Sequence, residues 1–289
     1  MGSFVALGRL AGADSEVLES KQQRLFEILR GLGRVIVAYS GGTDSAFLAW
    51  AAHRVLGENM LAVTADSPSL PESHKRDAEE LARRVGFPHR YLSTHEFDDP
   101  DYVRNDPDRC FHCKDELFSR LEELGRSLGI PHIVYGVNLD DLGDYRPGQE
   151  AARLHGVKAP LVEAGLNKAE IRELSRRAGL PTWDRPASAC LASRIPYGTP
   201  VTVETVKRIE RGEEALRALG FRQCRVRYHG DLVRLELAPD ELPRALTPEM
   251  ARRFVEIFKS LGFLYVTLDL EGYRQGSLNE GLVRRKAGA

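Results

Sequence analysis

Apolar and polar positions along this chain follow two periods. Four short, mostly apolar runs have the length of strands: residues 35–39, 60–66, 89–93 and 132–138. Between them, apolar residues recur at helical spacing. Residues 16–30 carry Leu18, Leu25, Ile28 and Leu29, residues 46–56 are apolar and Ala-rich, and residues 71–86 open on Pro and close on Gly. Residues 114–128 complete the set. Buried strands alternating with helices predict an α/β, Rossmann-like parallel sheet with helices on both faces. Ligands of such sheets bind beyond the C-terminal strand ends. That edge collects Ser40 to Ser45, Ala65, Asp66 and Gly136 to Asp141.

The pattern changes in the second half. Asn167-Lys168-Ala169-Glu170 reads as a capping box opening a helix that Gly179 and Pro181 stop. Residues 182–201 show no period, and loops this long are usually functional or disordered. This one carries Trp183, Cys190, Arg194 and Tyr197, which argues for function. A helix (203–219), two strands turned at 229–231, a helix (248–261) and a strand (263–268) then predict a small α+β domain. The expected division is residues 1–185 for the parallel-sheet domain and 186–289 for the smaller α+β domain.

The first strand runs into Ser40-Gly41-Gly42-Thr43-Asp44-Ser45, and a helix follows. Unpaired N–H groups at a helix N-terminus, with the helix dipole behind them, favour an anion. Two glycines let the backbone approach it, and Ser40 and Ser45 add hydroxyls. The common G-x-x-x-x-G-K-[ST] phosphate loop is absent.

Composition narrows the partners. At 289 residues, 42% hydrophobic and 29% charged, the chain is an ordinary globular protein. A net charge of −1 supplies no general attraction for nucleic acid or an anionic membrane. No 18-residue apolar stretch or secretory leader is legible, so a cytoplasmic location is expected. Four cysteines do not make a disulfide framework in a chain of this length. Cys110 and Cys113 form a CxxC just before a predicted helix, beside Arg109 and Lys114, a setting that favours thiolates. A lone CxxC leaves redox pair, zinc half-site and iron–sulfur half-site open. With Cys190 it offers three thiolates, enough for three irons of a [4Fe–4S] cluster. Cys224 reads as a structural strand residue.

SGGTDS resembles the pyrophosphate loop of N-type ATP pyrophosphatases, which split ATP between the α and β phosphates. Pro160-Leu161, residues 167–174 and residues 178–181 resemble a segment that GMP synthetases and tRNA thiolases share. Longer blocks resemble the LarE family: residues 105–114, 136–144 with Arg146-Pro147-Gly148, 185–198, and 268–280. The resemblance implies an ATP-dependent sulfur transferase of nickel-pincer-nucleotide biosynthesis. Such an enzyme adenylates the carboxylates of pyridinium-3,5-biscarboxylic acid mononucleotide and converts them to thiocarboxylates.

By that resemblance Gly41, Gly42, Thr43 and Ser45 hold pyrophosphate, adenine lies near Val63 to Asp66, and Ala38, Ser40 and Gly136 complete the ATP set. Asp44, Asp140 and Asp141 are the Mg²⁺ candidates, Asp44 being equally readable as a helix cap. Ser193 and Arg194 are the first candidates for the substrate, followed by Arg225, Arg227 and Arg274, with Glu213 and Glu236 at matching acidic positions. One branch of the family has a single cysteine, matching Cys190, which gives up its sulfur and becomes dehydroalanine. The other has three that hold a [4Fe–4S] cluster, the pattern of Cys110, Cys113 and Cys190. The family also implies a homo-oligomer, often a hexamer. A tRNA thiolase and a non-catalytic nucleotide-binding regulator remain alternatives.

Overall fold

The computed structural model describes residues 12–143, 147–186 and 189–274. Asp144, Arg146, Ala187, Ser188 and residues 275–280, all within blocks that carry the family resemblance, lie outside the described residues. The elements run α1 (Gly12–Leu32), β1 (Val35–Ala38), α2 (Thr43–Leu56), β2 (Met60–Asp66), α3 (Glu72–Val85), β3 (His89–Ser93), α4 (Pro100–Arg104), α5 (Arg109–Leu128) and β4 (His132–Tyr135). They continue with α6 (Pro147–Leu154), α7 (Pro160–Glu163), α8 (Lys168–Arg177), α9 (Val203–Ala218), β5 (Cys224–His229), β6 (Leu232–Leu237), α10 (Leu242–Ala245), α11 (Pro248–Ser260) and β7 (Tyr265–Leu268). Short 3₁₀ turns, Leu139–Gly143 and Leu191–Arg194 among them, lie between.

The chain divides into two compact units. The first comprises Met1–Asp66, Glu72–Thr94 and Lys114–Ser188; the second comprises Ser67–Pro71, His95–Cys113 and Ala189–Ala289. The last crossing falls near the expected boundary. Two earlier excursions, Ser67–Pro71 and His95–Cys113, also belong to the second unit, and no composition shift marks them.

The first unit is built on a parallel sheet of order β3-β2-β1-β4. Val35, Ile36 and Val37 of its central strand are wholly buried, as apolar runs without alternation require. Leu18, Leu25 and Leu29 of α1, Phe47 and Leu48 of α2, and Ile171 and Leu174 of α8 form its core. The chain lays β1, β2 and β3 outward in one direction and returns to place β4 on the other side of β1. Strand order therefore reverses between β1 and β4, where such sheets open a ligand crevice.

One polar clamp steadies this unit. The ring of His155 bonds Glu122 through Nδ1 (2.9 Å) and Asp115 through Nε2 (3.0 Å), both on α5. Burial opposes its charge, but the two carboxylates outweigh burial and raise its pKa above the usual histidine value. A raised folded-state pKa gives stabilisation that is complete below the unfolded value, about 6.5, and fades as pH rises through the folded value. In urea melts, His155→Gln should therefore be destabilised most at about pH 6 and least at alkaline pH. A gap that does not depend on pH would remove this account.

In the second unit β5 and β6 pair antiparallel about Gly230 (φ 69°), and β7 adds parallel to β6. Val226, Val233, Leu235, Phe254, Phe258 and Phe263 make its core, joined by Tyr102, Leu191 and Ile195. The excursions are stitched in by backbone bonds from Leu191 N to Ser69 O (2.8 Å), Val201 N to Val103 O (2.9 Å) and Gly198 N to Asn105 O (3.0 Å).

Several element ends differ from the sequence expectation: α1 starts at Gly12 rather than 16, α2 at Thr43 rather than 46, and β4 ends at Tyr135 rather than 138, and two others have a clear cause. Helix α5 begins at Arg109 rather than 114, because Arg109 N and Phe111 N already bond Asp106 O and Asp108 O in helical fashion. Cys110 and Cys113 thus sit inside the helix, within its first two turns. Strand β7 starts at Tyr265, because Leu264 N and Tyr265 N both turn to Asp231 O.

Candidate functional site

Residues 40–45 lie at the end of β1, and α2 begins at Thr43. Its N-cap, Gly42, is extended (φ −74°, ψ 165°), and no side chain caps the helix. The first-turn N–H groups are thus left to an external acceptor. Ser45 Oγ bonds Ser40 N (3.2 Å), Ser40 Oγ (3.1 Å) and Gly42 O (3.2 Å), so the two hydroxyls brace the turn. Thr43 donates to Thr182 O (2.7 Å). Gly41 has φ 73°, and a Cβ there would lie 3.0 Å from Ala78 Cβ.

Gly136, just beyond β4, meets this turn from the neighbouring strand. A Cβ on it would stand 2.7 Å from Ser45 N and 2.9 Å from Ser45 Cα. Ala38 ends β1 half-buried, while Asp66 ends β2 exposed and pairs with Lys75 (2.5 Å). Val63 is buried and its carbonyl is taken by Tyr39 N (2.8 Å). An adenine near this strand is left with the backbone after Val63.

Asp44 lies within the first turn of α2 and is not its cap. Lys168, at the start of α8, holds its Oδ2 at 2.5 Å, while its Oδ1 is buried without a hydrogen-bond partner. Burial raises the Asp44 pKa, Lys168 opposes that rise, and nearby Asp141 adds to it. Asp140 Oδ2 accepts Lys168 N (2.9 Å), and Asp141 Oδ2 accepts Asn138 N (3.0 Å). The open oxygen of Asp44 fits a cation bound with the phosphates; Asp140 and Asp141 each have one oxygen taken by the backbone.

The sulfur residues belong to the second unit. Cys110 and Cys113 share one face of α5, a turn apart, and Cys190 precedes the Leu191–Arg194 turn. Cys113 and Cys190 pack against the core that includes Tyr102. Cys190 and Cys110 both act on Arg109 and Tyr197, and Cys190 and Cys113 both act on Tyr102. Cys113 and Cys190 thus meet at one core, Cys110 lies one turn before Cys113, and none of the three is in a disulfide. Among the described residues, no three ligand atoms that include a cysteine sulfur crowd within 4.8 Å of one another. Cys224 lies buried on β5, and burial pushes its thiol up to about 11, as a structural cysteine should be.

Arg194 and Glu213 are both buried and make a forked pair, Nε–Oε1 at 2.8 Å and Nη2–Oε2 at 3.1 Å. Nη1 of Arg194 donates to Ala189 O, Cys190 O and Ser193 Oγ. This arginine orders the Cys190 loop from within and is not presented to solvent.

One face of the hairpin carries Arg225, Arg227, Arg234 and Glu236; the other carries Cys224, Val226, Val233, Leu235 and Leu237 into the core. Arg227 bonds Glu236 (2.7 Å) and Ser193 O (3.0 Å), and Arg234 also reaches Glu236 (3.1 Å). Arg225 bonds Cys224 O (2.8 Å) and lies 4.9 Å over the Tyr273 ring, and Arg274 pairs with Glu271 (2.8 Å). Arg225, Arg227 and Arg234 set against Glu236 and Asp269 leave this face with an excess of guanidinium, which makes it a phosphate candidate. Sequence reasoning passed over Arg234, Tyr102 and Lys75; alternation along β6 would have placed Arg234 beside Arg227.

No protein-family model matches the chain. It is 44% identical over 93% of its length to an uncharacterized protein of Synechocystis sp., all of which it covers. It is 35% identical over 92% of its length to pyridinium-3,5-bisthiocarboxylic acid mononucleotide synthase of Lactiplantibacillus plantarum, covering 96% of that protein. A tRNA-specific 2-thiouridylase of Xanthobacter autotrophicus (31% identical) matches 54% of the chain, and a component of the glutamine-hydrolyzing GMP synthase of Methanothermobacter thermautotrophicus (30% identical) matches 52%. The chain therefore belongs to the LarE family, the family of the pyridinium-3,5-bisthiocarboxylic acid mononucleotide synthase that it matches nearly end to end, within the PP-loop superfamily.

Proposed function

We propose that this protein is an ATP-dependent sulfur transferase that converts the carboxylates of pyridinium-3,5-biscarboxylic acid mononucleotide into thiocarboxylates. The observation that carries the reading is the gathering of Cys110, Cys113 and Cys190 around Tyr102 and Arg109, in a chain that also holds an uncapped, glycine-lined helix start. Amidation needs no such thiols, and a nucleotide-binding regulator needs neither their gathering nor their chemistry.

A carboxylate oxygen of the substrate attacks the α-phosphorus of ATP, pyrophosphate departs, and the acyl-adenylate forms. Backbone N–H groups at Thr43 to Ser45, with the hydroxyls of Ser40 and Ser45, receive the pyrophosphate charge. Mg²⁺ bound at Asp44, with Asp141 beside it, would neutralise charge on the phosphates. Lys168 holds Asp44 in place and opposes the rise that burial imposes on its pKa. Arg225, Arg227 and Arg234 bind the nucleotide phosphate of the substrate.

Sulfur then attacks the acyl carbon and AMP leaves. A [4Fe–4S] cluster held by Cys110, Cys113 and Cys190 would supply sulfide for this step. In the alternative, the Cys190 thiolate forms a thioester; loss of its Cα proton and cleavage of its Cβ–S bond leave a thiocarboxylate and dehydroalanine.

The test is AMP formation with the pyridinium biscarboxylate mononucleotide and ATP, with and without iron and sulfide reconstitution. AMP together with a product heavier by sulfur-for-oxygen exchange is expected. AMP formation that requires tRNA instead would favour the thiolase reading, and none with either acceptor would favour the regulator. Cys110→Ala should abolish the broad iron–sulfur absorption of anaerobically reconstituted protein, and Cys190 should remain intact by mass spectrometry after turnover. Dehydroalanine at 190 would assign the sulfur to the protein.

A further inference from the structure

Six acidic or basic side chains (Asp, Glu, Lys or Arg) are buried among the described residues: Glu96, Arg109, Arg194, Glu213, Arg227 and Glu236. Arg194 pairs with Glu213 and Arg227 with Glu236, so four of them cancel. Arg109 does not. It is 4% exposed, and its polar contacts are Asn105 Oδ1 and Ala192 O (3.0 Å), both uncharged. Its guanidinium also lies 5.8 Å from the Tyr197 ring centroid. No carboxylate pairs with it among the described residues. A buried guanidinium cannot shed its proton, so its charge requires an anion nearby.

The structure around Arg109 indicates which anion. Asn105, held in the left-handed region (φ 62°), fixes the arginine while its own amide bonds Pro196 O (2.9 Å) and Thr199 O (2.8 Å). The guanidinium is therefore anchored to both segments that carry the thiols, its own first turn of α5 and the 192–199 segment after Cys190. Cys110 follows Arg109 directly in the helix, and Cys190 lies two residues before its acceptor Ala192; the charge of either thiol, once ionised, favours the guanidinium's own.

We propose that Arg109 is a built-in binding group for anionic sulfur, a fixed countercharge that holds thiolate or sulfide at the Cys110–Cys190 site. It is a positioning residue: it acts through the sulfur it holds. This rests on reading the three cysteines as the sulfur site, and it is indifferent to whether sulfide or Cys190 is the donor. The same countercharge would steady the negative charge of a thiolate-bound cluster.

The test uses the full chain, reduced and iron-free, at one pH. Cys110 and Cys190 are alkylated with iodoacetate and with iodoacetamide, and each rate is read by site-resolved mass spectrometry. Both reagents attack the thiolate, so their rate ratio cancels the thiolate fraction and reports the local potential. Relative to glutathione, Cys190 should favour the anionic reagent by about fivefold, the factor a unit charge gives at contact distance in water. Arg109→Gln, which keeps an amide donor for Ala192 O, should lose that preference, and Arg109→Lys should restore most of it. A wild-type ratio no higher than that of glutathione, or one unchanged in a folded Arg109→Gln protein, overturns the proposal. The wild-type comparison decides the matter even if the glutamine variant does not fold. Because neither ATP nor the pyridinium substrate is present, failure here is distinct from failure of the sulfur-transfer reading.

Discussion

Gly136→Ala should cut ATP-dependent AMP formation by about 100-fold while the protein stays folded. The added Cβ would enter the backbone of the anion-binding turn, 2.7 Å from Ser45 N and 3.0 Å from Asp44 C. Backbone at a helix start cannot rotate away as a side chain can. Either β4 or the start of α2 must shift, at a cost of about 1–3 kcal/mol for overpacking. The larger effect is on chemistry, since a displacement of about 1 Å in a reacting group lowers rate by about 100-fold. Gly31→Ala is the control: it lies in α1 with nothing within 4 Å of the added methyl, and it should be neutral or mildly stabilising. Urea melts and steady-state AMP formation on the same preparations separate the two effects. Wild-type turnover in Gly136→Ala would mean that the turn does not need this approach.

Arg194→Met should destabilise the second unit by about 3–5 kcal/mol, the usual cost of breaking a buried ion pair. Glu213 would be left at 0% exposure with Arg217 (3.0 Å) and Val226 N (3.3 Å) as its remaining partners. Ala189 O and Cys190 O would lose a donor at the same time, so the Cys190 loop should loosen and alkylate faster. Arg194→Lys keeps the charge but cannot fork, and should fall between. The pair also sets an acid limit. Burial raises the Glu213 pKa, but Arg194 and its neighbours outweigh burial and hold it below the usual glutamate value. A depressed folded-state value gives stability that is present above the unfolded pKa, about 4.3, and is lost as pH falls through the folded one. Urea melts on a descending pH series should show this loss in the wild type and little of it in Glu213→Gln.

Local sequence carried much of this. Apolar runs without alternation required buried parallel strands, and β1 and β2 appear where the runs lie. The capping box at Asn167 and Glu170 is present with both of its bonds. The glycine turn declared an anion site, because glycines, hydroxyls and a following helix are contiguous in the chain and need no distant partner. What was hidden depended on distant partners. Arg194 looked like a surface phosphate ligand until Glu213, nineteen positions later, claimed its fork. Arg109 looked like a neighbour that merely tunes the CxxC, and nothing in its surroundings announced burial without a carboxylate.

The assignment of Ser67–Pro71 and His95–Cys113 to the second unit was equally invisible, since their contacts to residues 189–201 span more than eighty positions. Periodicity, caps and turns are properties of neighbouring residues, so the chain alone settled the sheet and the family and named the glycine turn as the anion candidate. Burial, countercharge and the gathering of Cys110 and Cys113 with Cys190 arise from contacts between remote segments, and only the folded chain could decide them.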